Sequence, residues 1–221
     1  MIEVKRDFIQ RKEEIETYFL FLEKLLKYDS VTWSDNSHER ISGQLRSILK
    51  ANIFLMLYNL AESSISDAIE QIHISIDKDD DVSFDNIKDE IKENLIRHLK
   101  NEINPKKFIE DINEISTDII RYCFNKKKLF PGNIDSRKIQ NFANKYGFST
   151  STNPRKTKNG EKLQTVKDRR NEIAHGVLSF EEIGKEYTPS DIMDFKDEVI
   201  AYLEQIIDNI EIYINNKEYK S

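Results

Sequence analysis

The residue types best suited to chemistry fall in one stretch of the chain, Val166-Lys167-Asp168-Arg169-Arg170-Asn171-Glu172-Ile173-Ala174-His175-Gly176. Histidine titrates near neutrality and can take or give a proton. Arginine stays charged at every accessible pH, and its planar fork can hold two phosphate oxygens at once. Asn171 stands four residues before His175, so on a helix the two share a face, where the amide could orient the ring or touch a phosphate. Arg170 and His175 are five residues apart, which places them roughly 140° apart around an ideal helix. A single helix therefore does not present both squarely in one direction. The same residues also suit a purely structural role, with Arg169 and Arg170 paired to Glu172 or Glu182 and His175 closing the helix against its dipole.

Two other groups belong to this candidate site. Tyr58 and Glu62 lie one turn apart on a nearly all-apolar helix whose centre runs from Ala51 to Ala61, and there a buried carboxylate is costly unless paired. Both could reach Arg170 or His175 if the two helices pack together, Glu62 either in catalysis or in an Arg–Glu pair holding the bundle. The segment from Pro154 to Arg170 carries Arg155, Lys156, Lys158, Lys162, Lys167, Arg169 and Arg170 against Glu161 and Asp168, a local net charge of +5 in a chain whose total is −6. Such a patch can guide a nucleic-acid backbone or serve only solubility. Other signatures are missing: there is no glycine-rich phosphate loop, HExxH or GxSxG. Cys123 is the only cysteine, which excludes an internal disulfide and a cysteine-pair metal site. Asp77, Asp79 and Asp81 imitate the start of a calcium loop, but Val82 and Lys88 stand where its glycine and glutamate belong. His73 and His98 read as surface residues of helices.

The elements that must position these groups are helical. Six glycines and four prolines in 221 residues leave few turns, and 21 Phe and Tyr with abundant Ile and Leu argue against disorder. A first helix is expected over about 3–27, a polar loop over 28–42 with Trp33, and a long second helix over 43–76 that is apolar nearly all round at its centre. A third follows Ser83 to about Asn101 along Ile87, Ile91, Leu95 and Leu99, and a fourth starts at Pro105 along Phe108, Ile112, Ile115 and Ile119. After Pro131-Gly132, Asp135 or Ser136 caps a short helix ended by Gly147. Residues 149–162 read as a flexible basic loop, and 163–177 as the helix of the candidate motif. Thr188-Pro189 opens a last helix striped by Ile192, Phe195, Val199, Leu203, Ile206, Ile210 and Ile214. No strand is predicted. The fold expected is a single all-α domain over 1–221, a bundle of six to seven helices around the long buried second helix. No run is long enough to span a membrane, and the N-terminus is charged rather than a leader, so a cytoplasmic setting is expected.

The segment Arg-Arg-Asn-Glu-Ile-Ala-His-Gly at 169–176 closely resembles the Arg-x4-His signature of the HEPN superfamily, all-α domains named for higher eukaryotes and prokaryotes nucleotide-binding. The stretch from Leu49 to Ser63 is similar to the central helix of the MAE-like HEPN-type nucleases, and the turn at 131–135 and the final helix fit that group. The resemblance covers about residues 10–215. It implies a HEPN-like bundle and a metal-independent endoribonuclease without cofactor, acting as a toxin or phage-defence effector. It implies Arg170 and His175 as catalytic residues, Asn171 as the polar residue following the arginine, and a homodimer whose interface completes the site, a geometry the 140° separation makes sensible. An antitoxin or second HEPN subunit is a possible further partner. Some members carry a tyrosine two residues after the histidine, which a partner enzyme modifies; here Val177 stands there, so silencing by that route does not carry over. The alternative is a non-catalytic HEPN subunit that binds RNA or protein.

Overall fold

The computed structural model describes residues 1–83, 86–93, 97 and 133–221. The later part of the expected third helix, the whole of the fourth, Cys123, His98 and the Pro131-Gly132 turn lie outside the described residues. Helix α1 covers Ile2–Lys27 and buries Phe8, Ile15, Phe19, Leu22 and Leu25 along one face. Helix α2, Gly43–Asp77, opens on Ser42, whose hydroxyl accepts from the Leu45 N–H, and runs for 35 residues through the middle of the molecule. Its face turns fully inward at Ala51, Phe54, Leu57, Tyr58, Ala61, Ile65, Ile69 and Ile72, the stretch the sequence marks as apolar all round. Helix α3, Ser136–Tyr146, begins on an Asp135 cap and stops at left-handed Gly147, as its residue types require.

The polar linker after α1 departs from expectation. Residues Ser30–Thr32 (β1) and His38–Arg40 (β2) pair antiparallel into a small hairpin carrying an exposed Trp33. Three-residue strands bury too little surface to leave a period-two pattern in the sequence.

Residues 149–162 depart more informatively. In place of a loop, Pro154–Thr157 form one turn of helix, α4, and Lys158–Gly160 a 3-10 turn. This segment docks on the last helix, α7 (Pro189–Asn215), through polar groups: Asn153 N–H donates to Gln205 Oε1 at 2.7 Å, Asn209 Nδ2 to the Ser151 carbonyl at 2.9 Å, and Lys162 N–H to Glu198 Oε1 at 2.9 Å. Gly160 lies flat on the Tyr202 ring, where a Cβ would come within 2.7 Å of the ring, and its φ of +74° also favours glycine. Anchoring by hydrogen bonds and one glycine leaves no hydrophobic signature.

Helix α5, Glu161–Ala174, carries the candidate motif and packs Leu163 and Val166 against α2 and α7. It is followed by a short helix, α6 (Phe180–Lys185), which the sequence reading did not separate from its surroundings. Its start is a capping box, with Ser179 Oγ accepting from the Glu182 N–H while the Glu182 carboxylate accepts from the Ser179 N–H. α6 lies directly on the first turns of α2: a Cβ on Gly184 would come 1.8 Å from the Ser47 carbonyl oxygen. Helix α7 begins at the Thr188–Asp191 capping box and buries the predicted stripe from Ile192 to Ile210. The bundle is thus built on α2, α5 and α7, with α1 laid along α2, and all-α apart from the hairpin among the described residues. No described helix is long and apolar enough to cross a membrane.

The end of the chain is sewn to the end of α2. The Asp79 carboxylate accepts from the Tyr219 hydroxyl at 2.8 Å and pairs with Lys217 at 3.1 Å and Lys220 at 3.0 Å, while Lys88 N–H donates to the Tyr219 carbonyl at 2.9 Å. Burial would raise the Asp79 pKa, but the Tyr219, Lys220 and Lys217 donors overcome it and hold it well below the usual carboxylate range. The acidic run is therefore partly consumed as a structural clasp. His73 is also not a surface residue: it is buried, with Nε2 2.8 Å from the Tyr146 hydroxyl.

Candidate active site

On α5 the positions Leu163, Val166, Arg170 and Ile173 fall within one stripe about 80° wide, given 100° per residue. Arg170 therefore occupies a place where the packing calls for a hydrophobic residue. A guanidinium survives there because its stem packs and its charge meets a ring: Cζ lies 4.4 Å from the centroid of the buried Tyr58 ring. Beyond the ring the arginine is held by its neighbour, with Nη1 donating to Asn171 Oδ1 at 3.0 Å.

Asn171 is itself fixed. Its Nδ2 donates to Asn133 Oδ1 at 2.8 Å, and Asn133 N–H donates to the Tyr58 hydroxyl at 2.6 Å. The Ile134 N–H reaches the same hydroxyl at 3.3 Å. Tyr58, Asn133, Asn171 and Arg170 thus close a ring of contacts in which each group locks the next. Asn133 was not singled out from the sequence. Its left-handed φ of 65° is a conformation asparagine tolerates better than most residues, and an asparagine just after Pro-Gly is the signal that could have found it.

The two adjacent arginines do different work. Arg169 donates to the Tyr187 hydroxyl and to Glu172 Oε2, both at 2.8 Å, and pairs with Glu186. Burial opposes its charge, but those partners more than compensate and raise its pKa. This is the ion-paired role weighed for both residues, and it removes Arg169 from the free RNA-facing cations. Glu182 is taken by its own capping box. Arg170, by contrast, has no ion pair among the described residues.

His175 caps α5. Its N–H donates to the Asn171 carbonyl at 3.0 Å, Gly176 follows at φ +67°, and Val177 N–H reaches back to the Glu172 carbonyl at 2.9 Å, the left-handed helix ending expected of His-Gly. The imidazole is exposed and makes no hydrogen bond among the described residues. The Asn171 side chain serves the arginine rather than the ring. Glu62, half-buried one turn beyond Tyr58, likewise has no hydrogen bond or ion pair among the described residues, so the anticipated Arg–Glu pair is not formed.

The basic segment divides. Lys167 is nearly buried and bonded to Asp135 Oδ2 at 2.7 Å. Burial would raise the Asp135 pKa, but the Lys167 ammonium and the Lys138 N–H hold it below the ordinary carboxylate value. Lys162 sits 5.0 Å from the Phe195 ring centroid and 3.7 Å from Asp194. Arg155, Lys156 and Lys158 are exposed and have no ion pair among the described residues. They stand at the opposite end of α5 from His175, on the order of 20 Å away along the axis.

The family model of the MAE_28990-like HEPN domains matches residues 3–219. The chain belongs to this HEPN family. The match spans both α2 and the Arg170–His175 segment, as well as the asparagine ring between them. Neither the curated proteins nor the solved structures contain a match to this chain.

Proposed function

We propose that this HEPN domain is a metal-independent endoribonuclease, acting as a toxin or phage-defence effector, with Arg170 and His175 as its catalytic residues. The observation that carries the reading is the state of Arg170: it is rigidly seated on the Tyr58 ring and Asn171, yet its charge is not matched by any described carboxylate. An arginine kept on a packing stripe without a counter-ion is suited to an anion from outside, and phosphate fits its fork.

The reaction follows from the groups available. A base removes the proton of a ribose 2′-hydroxyl, the oxygen attacks the adjacent phosphorus, and the P–O5′ bond breaks as an acid protonates the departing oxygen. The products are a 2′,3′-cyclic phosphate and a 5′-hydroxyl. His175 can serve as base or acid, and Arg170 neutralises the charge gathering on the phosphorane. One chain supplies one imidazole, on a different side of the helix from Arg170, so a second copy would furnish the other proton-transfer group. A heptad-spaced stripe on α2, Leu45, Ile48, Asn52, Leu55, Asn59 and Glu62, is exposed or half-buried, His175 and Val177 are exposed, and together they support a two-fold interface there.

The test is cleavage of total RNA in EDTA by the wild type, His175→Ala and Arg170→Ala, with the 5′ ends sequenced. Cutting by the wild type alone, leaving 5′-hydroxyl ends, is the expected result. The unoriented imidazole favours a second reading, a HEPN subunit that binds RNA without cutting it; there, no variant cleaves and RNA binding persists in all. The Ile48→Asp variant tests assembly: it should elute as a monomer with an unchanged melting temperature and lose cleavage.

A further inference from the structure

Outside the Arg170–His175 region, the molecule has a polar cleft of about 660 Å³ between the start of α3, the 148–151 strand of chain and the turn that precedes α5. Arg137 and Gln140 line it from α3, Phe148 and Tyr202 form its apolar wall, and Asn159 closes one side. Its size falls in the range of small-molecule and nucleotide sites.

Tyr202 makes this more than a surface dent. The residue is 3% exposed and lines the cleft, and its hydroxyl makes no hydrogen bond to a described residue and is not sealed from solvent. A phenol whose ring is fixed by packing and whose hydroxyl is open and unclaimed offers a positioned donor to a ligand in the cleft. Burial, with Asp135 nearby, pushes its pKa up to about 12, so it stays a neutral donor near pH 7. Gly160 exists in its left-handed turn because the chain must pass over that ring, so the local backbone is built around Tyr202.

Arg137 is the one charged residue among the described residues lining the cleft. Arg137 donates through Nη2 to the neutral Gln164 at 2.8 Å and has no ion pair among the described residues. Asp135, the nearest acid, is held by Lys167. Arg155, Lys156 and Lys158, the free cations of the basic turn, adjoin Asn159 in sequence. An arginine, a neutral hydroxyl donor, side-chain amides and aromatic walls together are what a nucleotide requires: cation and donor for the phosphate, amides for a base edge, an apolar face for sugar or base.

We propose that this cleft binds one nucleotide through its phosphate, on Arg137 and the Tyr202 hydroxyl, and that the nucleotide belongs to the RNA strand being cut. The second half rests on the ribonuclease reading above. Gln164 precedes Arg170 by six residues, about 9 Å along α5, so a strand seated here continues to the motif within a few nucleotides. The same chemistry is offered by a free mononucleotide, and the test separates the two sources.

Binding of a short fluorescein-labelled single-stranded RNA of mixed sequence, and separately of AMP, is measured by anisotropy and calorimetry in the non-cleaving His175→Ala background. Arg137→Ala should weaken RNA binding about tenfold and Tyr202→Phe several-fold, with melting temperatures held to show that the fold persists. In the active protein Arg137→Ala should raise KM for RNA while leaving kcat nearly unchanged. AMP binding that is lost in both variants while RNA binding is unaffected would keep the nucleotide site and overturn its assignment to the strand. RNA and AMP binding equal to the parent in both variants would overturn the proposal, even if cleavage is confirmed. Variant-sensitive RNA binding by a protein that never cleaves would uphold the cleft as a nucleotide site for RNA and refute the ribonuclease reading, and with it the assignment of that RNA as a strand being cut.

Discussion

A charged residue on a packing stripe needs a reason, and for Arg170 the reason is geometric. The guanidinium lies over the Tyr58 ring and is tied to Asn171, which leaves further donors that, on the reading proposed above, an incoming phosphate would take. Lysine at this position keeps the charge but not the planar fork, so its three donors cannot pair two phosphate oxygens side by side while a flat face rests on the Tyr58 ring. Arg170→Lys should therefore lower cleavage on the order of 10²-fold, the scale seen when one preorganised donor is removed, with little change in melting temperature. Steady-state kinetics with a circular-dichroism melt would check both halves; full activity would remove the phosphate role. Arg170 was picked out by its residue type and its place five residues before His175; the stripe of Leu163, Val166 and Ile173 that it interrupts was a further signal, read only once the helix was seen. The signal for Asn133 was not, because its partner Asn171 is 38 residues away and only the fold brings them to 2.8 Å. Tyr58 was singled out for reaching the motif, and it does so with its ring, its hydroxyl being spent on the Asn133 and Ile134 N–H groups.

At the scale of elements, the long regular pieces among the described residues were readable and the short polar ones were not. The stripe from Ile192 to Ile210 and the Thr188-Pro189 start describe α7 nearly to the residue, since burial and capping both write themselves into sequence. The turn at 154–160 is held by Gln205, Asn209 and Glu198, and no periodicity records such contacts. α6 carried a visible Ser-x-x-Glu signal at Ser179 and Glu182, but six residues are too few for a hydrophobic period. Gly160 offers a test of the docked turn. An alanine there adds a Cβ within 2.7 Å of the Tyr202 ring at a φ of +74°, and should cost about 2–3 kcal/mol. Denaturant melts would measure it; a loss within 0.5 kcal/mol, about the scatter of neutral surface changes, would mean the turn is free to shift.

For the molecule as a whole, α2, α5 and α7 share one core, so damage at its centre is felt everywhere. Ile206 is fully buried on α7, and Ile206→Asp would bury an unpaired carboxylate; loss of about 3–5 kcal/mol or outright unfolding is expected by calorimetry. The clasp at Asp79 gives stability a pH dependence. Its carboxyl titrates lower in the folded chain than in the unfolded one, so the unfolded state takes up protons first as pH falls. The contribution is complete above the ordinary carboxylate pKa of about 4 and is lost on descent below it. Asp79→Asn should melt lower at neutral pH and show a shallower fall in melting temperature between about pH 5 and pH 2, which scanning calorimetry across that range would record.

The missing methyl at Gly184 has a reach beyond its own contact. α6 abuts α2 at Ser47 because nothing protrudes from position 184, and the chain between Gly176 and Ser179 is the short tether joining that abutment to the end of α5. Enlarging the residue would lever the little helix outward like a wedge under a door, dragging the imidazole while the guanidinium stayed anchored on its ring. On the ribonuclease reading proposed above, the spacing between imidazole and guanidinium is then set in part by a shim on the far side of the tether, and a change there would alter cleavage without touching the motif.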